Sequence, residues 1–206
     1  MNPERILSLD ISTKTGWALL VSSESGVLLE KHGQIEKMSE PEGMYPHNYV
    51  EWAGAIFTKL NILIEGLKPD VLVIEETASG SKNSYSQKIL EWIHYLLANY
   101  IRECNIKAVY VLTEQWRRET GCQMSKEESK HNKEVKKYKE KNDTSIAYDS
   151  NGKRIGRVTR KHVNVRRANE VFGKFLKTPL KQKDEDTADS LLLGYCYHLR
   201  RLGPKL

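Results

Sequence analysis

Four consecutive apolar residues, Val71-Leu72-Val73-Ile74, follow Lys68-Pro69-Asp70 and run directly into Glu75 and Glu76. A strand with one wet face alternates apolar and polar residues. An unbroken Val/Leu/Ile run is instead covered on both faces, as in a parallel sheet with helices above and below. The neighbouring segments agree. Arg5–Ile11 reads as a short buried strand, Trp17–Ser22 as a second, and Gly26–Ile35 as a third, with connections short enough for an antiparallel meander. Apolar residues recur at three and four from Asn48 to Leu67 and again from Ser84 to Ile101, which predicts two one-faced helices. Lys107–Thr113 supplies a fifth strand, and Asn164–Leu176 and Glu185–Arg201 two closing helices. The order predicts an α/β fold with a mixed five-stranded sheet flanked by helices.

At 206 residues one domain, 1–206, is expected. Between Met124 and Arg167 nine Lys and five Arg meet six acids, a surplus of eight, whereas the whole chain carries only +6. A slightly acidic body therefore holds one strongly basic segment, which asks for a polyanion. That segment, about 124–163, reads as an insertion: a polar helix over Ser125–Lys141, then a hairpin turning at Asp149-Ser150-Asn151-Gly152. Neither piece has enough apolar residues for a core of its own. No stretch is apolar enough to span a bilayer, and Met1–Asp10 lacks the apolar centre of a signal peptide. Three cysteines without C-x-x-C spacing support neither a disulfide framework nor a zinc site, so a reducing cytoplasm is expected.

The acids are placed where they are hardest to explain structurally. Asp10 stands inside an apolar strand, where a carboxylate costs several kcal/mol unless a positive group meets it. Glu75 and Glu76 end the buried run on opposite faces, so only one of them shares a site with Asp10. Asp186 and Asp189, three apart, lie on one face of the last helix and repel each other. Taken singly, each has an ordinary reading as a turn residue or a helix-dipole partner. Together, strand-end acids and an i,i+3 pair form a set able to hold two Mg²⁺ ions for phosphodiester hydrolysis.

Leu9-Asp10-Ile11-Ser12-Thr13-Lys14-Thr15-Gly16-Trp17-Ala18, then Val73-Ile74-Glu75-Glu76, then Asp186-Thr187-Ala188-Asp189-Ser190-Leu191 resembles the RuvC-type Holliday junction resolvases of bacteria and phages, within the ribonuclease H-like superfamily. The resemblance covers most of the chain outside the insertion. It implies a crossover junction endonuclease that binds branched, four-way DNA as a homodimer and uses two Mg²⁺, with Mn²⁺ able to substitute. It matches Asp10, Glu75, Asp186 and Asp189 to the metal-binding and catalytic acids, and Lys161 to the basic residue near the scissile phosphate. Ser81-Lys82-Asn83 is similar to the family's A-K-N, which makes Lys82 a DNA contact, and Thr113-Glu114-Gln115-Trp116-Arg117-Arg118 to the W-R segment of phage members. Where bacterial members carry an aromatic wedge after the glutamate, Thr77-Ala78-Ser79-Gly80 stands here, leaving Tyr85 as the candidate substitute. The host cytoplasm is the implied location for a phage-encoded member.

Among the cations, Arg154, Arg157, Arg160, Lys161, Arg166 and Arg167 have no acid beside them between Asp149 and Glu170, and with Arg117 and Arg118 they are the expected DNA contacts. The Lys126–Lys141 run has four glutamates interleaved, and a solvated helix laced with i,i+4 pairs competes about evenly there with a DNA-binding face. Trp116 is read as core, and His94 and His198 as satisfied, partly buried residues of apolar helices. A related nuclease acting on flaps or RNA–DNA hybrids shares this site, and a non-catalytic DNA-binding protein is a further reading. Actin-type ATP-binding proteins also begin with a strand, Asp and a tight turn, but they run longer and have a second Gly-rich phosphate loop absent here.

Overall fold

A computed structural model describes residues 2–77 and 84–203. Strands β1 (Glu4–Asp10), β2 (Thr15–Ser23) and β3 (Gly26–Ile35) form the antiparallel meander, and β4 (Val71–Glu76) and β5 (Ala108–Leu112) add parallel to β1. The order across the sheet is β3-β2-β1-β4-β5. Helices α1 (His47–Leu67) and α2 (Ser84–Glu103) cover one face. The other is covered by α3 (Thr113–Glu119), α5 (Arg160–Phe172) and α6 (Glu185–Leu202). Between α3 and α5 the chain forms α4 (Lys126–Lys141) and a two-stranded ribbon, β6 (Ala147–Tyr148) and β7 (Arg154–Ile155).

Strand alternation divides the core in two. Leu7 and Leu9 of β1 pack with Leu72 and Ile74 against α1 and α2, whereas Ile6, Val71 and Val73 pack with Leu191 and Leu192 of α6. Both sets are fully buried, as a continuous apolar run on a doubly covered strand requires. α6 lies very close to β1 and β2. A Cβ on Gly194 would sit 2.7 Å from Leu20 Cδ1 and 2.8 Å from Ser8 Oγ, and one on Gly16 would sit 2.0 Å from the carbonyl oxygen of Asp186. Glycine at these two positions lets the helix backbone rest on the sheet.

Local chemistry moved three boundaries. The helix expected from Asn164 begins four residues earlier, because Thr159 and His162 form a reciprocal cap at its start, and it ends at Phe172 with a short 3₁₀ turn following. Leu112 ends β5 and Thr113 already begins α3, a seven-residue helix with one buried residue, Trp116, too short to show a periodicity. The hairpin strands are two residues each, their turn held by the Asp149 carboxylate, which accepts from the backbone N–H of Asn151 and of Lys153. His198 is satisfied by Ser22 (2.8 Å), but His94 has a buried Nε2 with no hydrogen-bond partner. Cys104, Cys122 and Cys196 are free thiols. No helix among the described residues is long and apolar enough to cross a membrane.

Candidate active site

The register across the sheet decides between the two glutamates. Leu9 pairs with Ile74 across β1 and β4, so the next step sets Asp10 beside Glu75, both on the α6 side. Glu76 falls on the opposite face and is exposed. The first two turns of α6 bring Asp186 and Asp189 over the same end of the sheet, where Gly16, the β2 partner of Asp10, touches the Asp186 backbone.

The four carboxylates act on one another. Burial raises the Asp10 carboxyl well above its ordinary value, and the charges of Glu75, Asp189 and Asp186 push it further, with Arg117 opposing. Asp189 is pushed up to about 7, chiefly by burial; a hydrogen bond from Asn164 and the charge of Arg117 pull it back, and Glu75 and Asp186 add to the rise. Asp186 is raised by burial and by Glu185, against Lys14 and Lys161.

Three of the acids, Glu75, Asp189 and Asp186, lean on donating or cationic side chains. Thr113 Oγ1–H donates to Glu75 Oε1 (2.5 Å) and Trp116 Nε1–H to Glu75 Oε2 (2.8 Å), so the first turn of α3 grips both oxygens. Asn164, buried on α5, donates from Nδ2 to Asp189 Oδ1 (2.8 Å). Arg117 approaches Asp189 Oδ2 at 3.7 Å and stacks on the Trp116 ring, its guanidinium carbon 5.0 Å from the centroid. Lys14 lies 3.7 Å from Asp186. In this arrangement no three of the described His, Cys, Asp or Glu side chains stand close enough to chelate one ion. The donor set is nonetheless hard carboxylate oxygen, the chemistry that suits Mg²⁺, and its shared charge and burial are the deficit that a divalent cation offsets.

The expected DNA contacts separate into groups. Arg117 is 19% exposed and belongs to the carboxylate site. Arg118 is exposed, with Glu119 at 3.9 Å. Arg160 pairs with Glu114 (3.1 Å), Lys161 with Glu185, Arg166 with Glu128 (2.5 Å) and Arg167 with Glu170 (2.9 Å). Arg160, Lys161 and Arg166 have no acid beside them in sequence, but folding brings Glu114, Glu185 and Glu128 to them from other elements, whereas Glu170 reaches Arg167 from within α5. Arg154 and Arg157 are exposed and make no ion pair among the described residues. Lys82 lies outside the described residues. Tyr85 falls in the first turn of α2, but its side chain also lies outside them. Trp116 is fully buried, as expected of core, yet its one polar atom serves Glu75. Lys14, Thr113 and Asn164 were missed by sequence reasoning. Only the two in quoted segments, Lys14 in the Asp10 turn and Thr113 in the T-E-Q-W-R-R stretch, had a signal that pointed toward the site.

Because Asp10, Asp186 and Asp189 are harder to ionise folded than unfolded, they make the metal-free protein less stable as pH rises, whereas His32, His94 and His198, held below their ordinary value by burial, act in the opposite direction. For Asp189 the contribution is complete below the ordinary value of 3.8 and is lost as pH climbs through about 7. Thermal unfolding in EDTA at pH 5 and pH 8 checks the Asp189 contribution: from pH 5 to pH 8 the native Tm falls relative to that of Asp189→Asn. A Tm difference between the two proteins that is the same at both pH values would contradict the assignment.

The sheet order β3-β2-β1-β4-β5, with helices on both faces, is that of a ribonuclease H-like α/β fold. No protein-family model matches the chain, and no curated protein matches it in sequence. Solved structures do match. RuvC of Thermus thermophilus in complex with a Holliday junction substrate is similar at a TM-score of 0.63 and 12% identity, over 97% of this chain and 96% of that one. RuvC from the same organism alone gives 0.61 and 14% over the same shares. The yeast mitochondrial Holliday junction resolvase gives 0.50 and 15%, over 95% of this chain and 78% of that one. The chain therefore has the fold of RuvC.

Proposed function

We propose that the chain is a divalent-metal-dependent endonuclease that resolves four-way DNA junctions by paired phosphodiester cleavage. The observation that carries this reading is the meeting of Asp10, Glu75, Asp186 and Asp189, from two parallel strands and a closing helix, in a chain with the fold of a protein solved on a Holliday junction. Two Mg²⁺ ions, or Mn²⁺ in their place, held by these four acids would supply an activated water and stabilise the leaving 3′-oxygen. Thr113 and Trp116 keep both Glu75 oxygens in one orientation, and Asn164 does the same for one oxygen of Asp189. Arg117 offsets part of the mutual repulsion while the acids are unliganded. Lys161, exposed at the start of α5 and resting on Glu185, exchanges that contact for a phosphate oxygen. Arg118, Arg154, Arg157 and Arg160 lie outside the acid cluster as backbone contacts. A homodimer supplies two such sites for the two symmetric strands of a junction, and the free thiols suit the cytoplasm.

Incubating the protein with four-way, flap, RNA–DNA hybrid and linear duplex substrates, in Mg²⁺ and in EDTA, tests the reading. Paired, symmetric nicks in the four-way junction that vanish in EDTA are expected. Equal rates on linear duplex or hybrid would replace junction resolution by a more general nuclease activity.

A further inference from the structure

Five lysines of α4 share one face, flanked by the exposed Glu134 and Glu140, opposite the face that packs on the protein. Asn132 and Val135 are buried, and Glu128 and His131 turn inward beside them. These four moor the helix. Asn132 Nδ2 donates to the carbonyl of Val158 (2.8 Å), and its Oδ1 accepts from the N–H of the same residue (2.8 Å). His131 reaches the Gly156 carbonyl (2.9 Å), and Glu128 takes Arg166 of α5. At ~100° per residue, the opposite side carries Lys126, Lys130, Lys133, Lys137 and Lys141 within an arc of about 80°, in a row about 22 Å long. All five are exposed, and none has an ion pair among the described residues. The pair the helix does make, Lys136 with Glu140 (3.5 Å), lies to the side of the row.

Helix stability does not account for the row. Like charges at three- and four-residue spacing repel, and Lys126 in the first turn opposes the helix dipole. Five unpaired ammonium groups in line instead match the regular charge of a sugar–phosphate backbone. The mooring is short: Val158 is followed by the Thr159 cap of α5, and the second turn of α5 carries Asn164, bonded to Asp189.

We infer that the outward lysine row of α4 is a phosphate-binding track for a duplex arm of the DNA substrate, held at fixed distance from the carboxylate site by the Asn132 and Glu128 contacts. This rests on the nuclease reading and extends it to a surface that the acids do not define. The track reads no sequence, since it touches only backbone charge.

The test is a salt titration of binding, by fluorescence anisotropy, of a labelled four-way junction and a labelled linear duplex to protein carrying Asp10→Asn in EDTA. Each lost phosphate contact lowers the slope of log K against log salt by ~0.9, so K130Q/K133Q/K137Q should lower it by about two to three. Lysine-to-arginine changes at the same positions should keep it. The charge-matched K59Q/K68Q/K174Q, on other elements, should also leave it in place, and circular dichroism confirms that α4 remains helical. An unchanged slope in the Gln variant, with junction cutting intact when the same three Gln changes are made in protein that retains Asp10 and is assayed in Mg²⁺, overturns the track and leaves the nuclease standing. A slope loss equal on linear duplex, without junction preference, keeps the track and overturns the junction.

Discussion

Asp10→Asn is expected to reduce metal-dependent junction cleavage by at least about 10²–10³-fold, the loss typical of removing one preorganised electrostatic group from a site. The substitution keeps the shape of the side chain and removes the charge, so packing at the end of β1 is undisturbed. It also removes a carboxyl that burial and three neighbouring acids raise well above its ordinary value. The metal-free variant should therefore unfold at a temperature equal to or above that of the native chain at neutral pH, and it should bind junction DNA with similar affinity. This combination separates loss of chemistry from loss of fold. Glu76→Gln provides the opposing control: Glu76 is exposed on the other face of the sheet, and its variant should cut within about twofold of the native rate. Undiminished cleavage by Asp10→Asn would remove the acid cluster from the reaction. An equal fall with Glu76→Gln would move the site to the α1–α2 face.

The two residues of that comparison also show how far the sequence could be read. Alternation puts Glu75 and Glu76 on opposite faces, but which face holds Asp10 depends on the β1–β4 register and on the helix that covers it, and both are tertiary facts. Asp10, Asp186 and Asp189 were legible because each conflicts with its surroundings: a charge in an apolar strand, and like charges on one helical face. The mixed five-stranded sheet was legible for a similar reason, since the run Val71–Ile74 admits little besides a doubly covered strand, whereas the order of the strands across it was not read from the sequence. The residues that hold the acids carry no such conflict. Asn164 is an ordinary polar residue of a helix, and Thr113 an ordinary strand-end threonine, until α5 and α3 are packed on the sheet. The cations failed for the complementary reason. Arg160, Lys161 and Arg166 look free along the chain, but Glu114, Glu185 and Glu128 reach them from elements 24 to 46 residues away. In α4 the linear mixture of charges hid a row of unpaired lysines on the side opposite Glu128 and its ion pair with Arg166.

All of this geometry depends on α6 lying against β2, and Gly16 is where that contact has least room. Gly16→Ala is expected to destabilise the protein by about 3 kcal/mol, the upper part of the range for overpacking a tight contact. The cause is space and not backbone conformation, since Gly16 is absent from the positive-φ residues. The added Cβ would meet the Asp186 carbonyl oxygen at 2.0 Å and its carbon at 2.3 Å, and these are backbone atoms of a helix that cannot swing aside as a side chain would. Relief requires the first turn of α6 to move off the sheet, which carries Asp186 and Asp189 away from Asp10. Cleavage should therefore fall even at temperatures where the variant is fully folded. Gly54→Ala is the comparison: Gly54 lies within α1 with nothing inside 4 Å of a new Cβ, and there alanine should stabilise by about 0.5–1 kcal/mol through helix propensity. Urea denaturation of the two variants reads the difference directly. If Gly16→Ala matched Gly54→Ala in stability and retained native cleavage, α6 would not be resting on β2 at this point, and the acids it carries would owe their positions to some other contact.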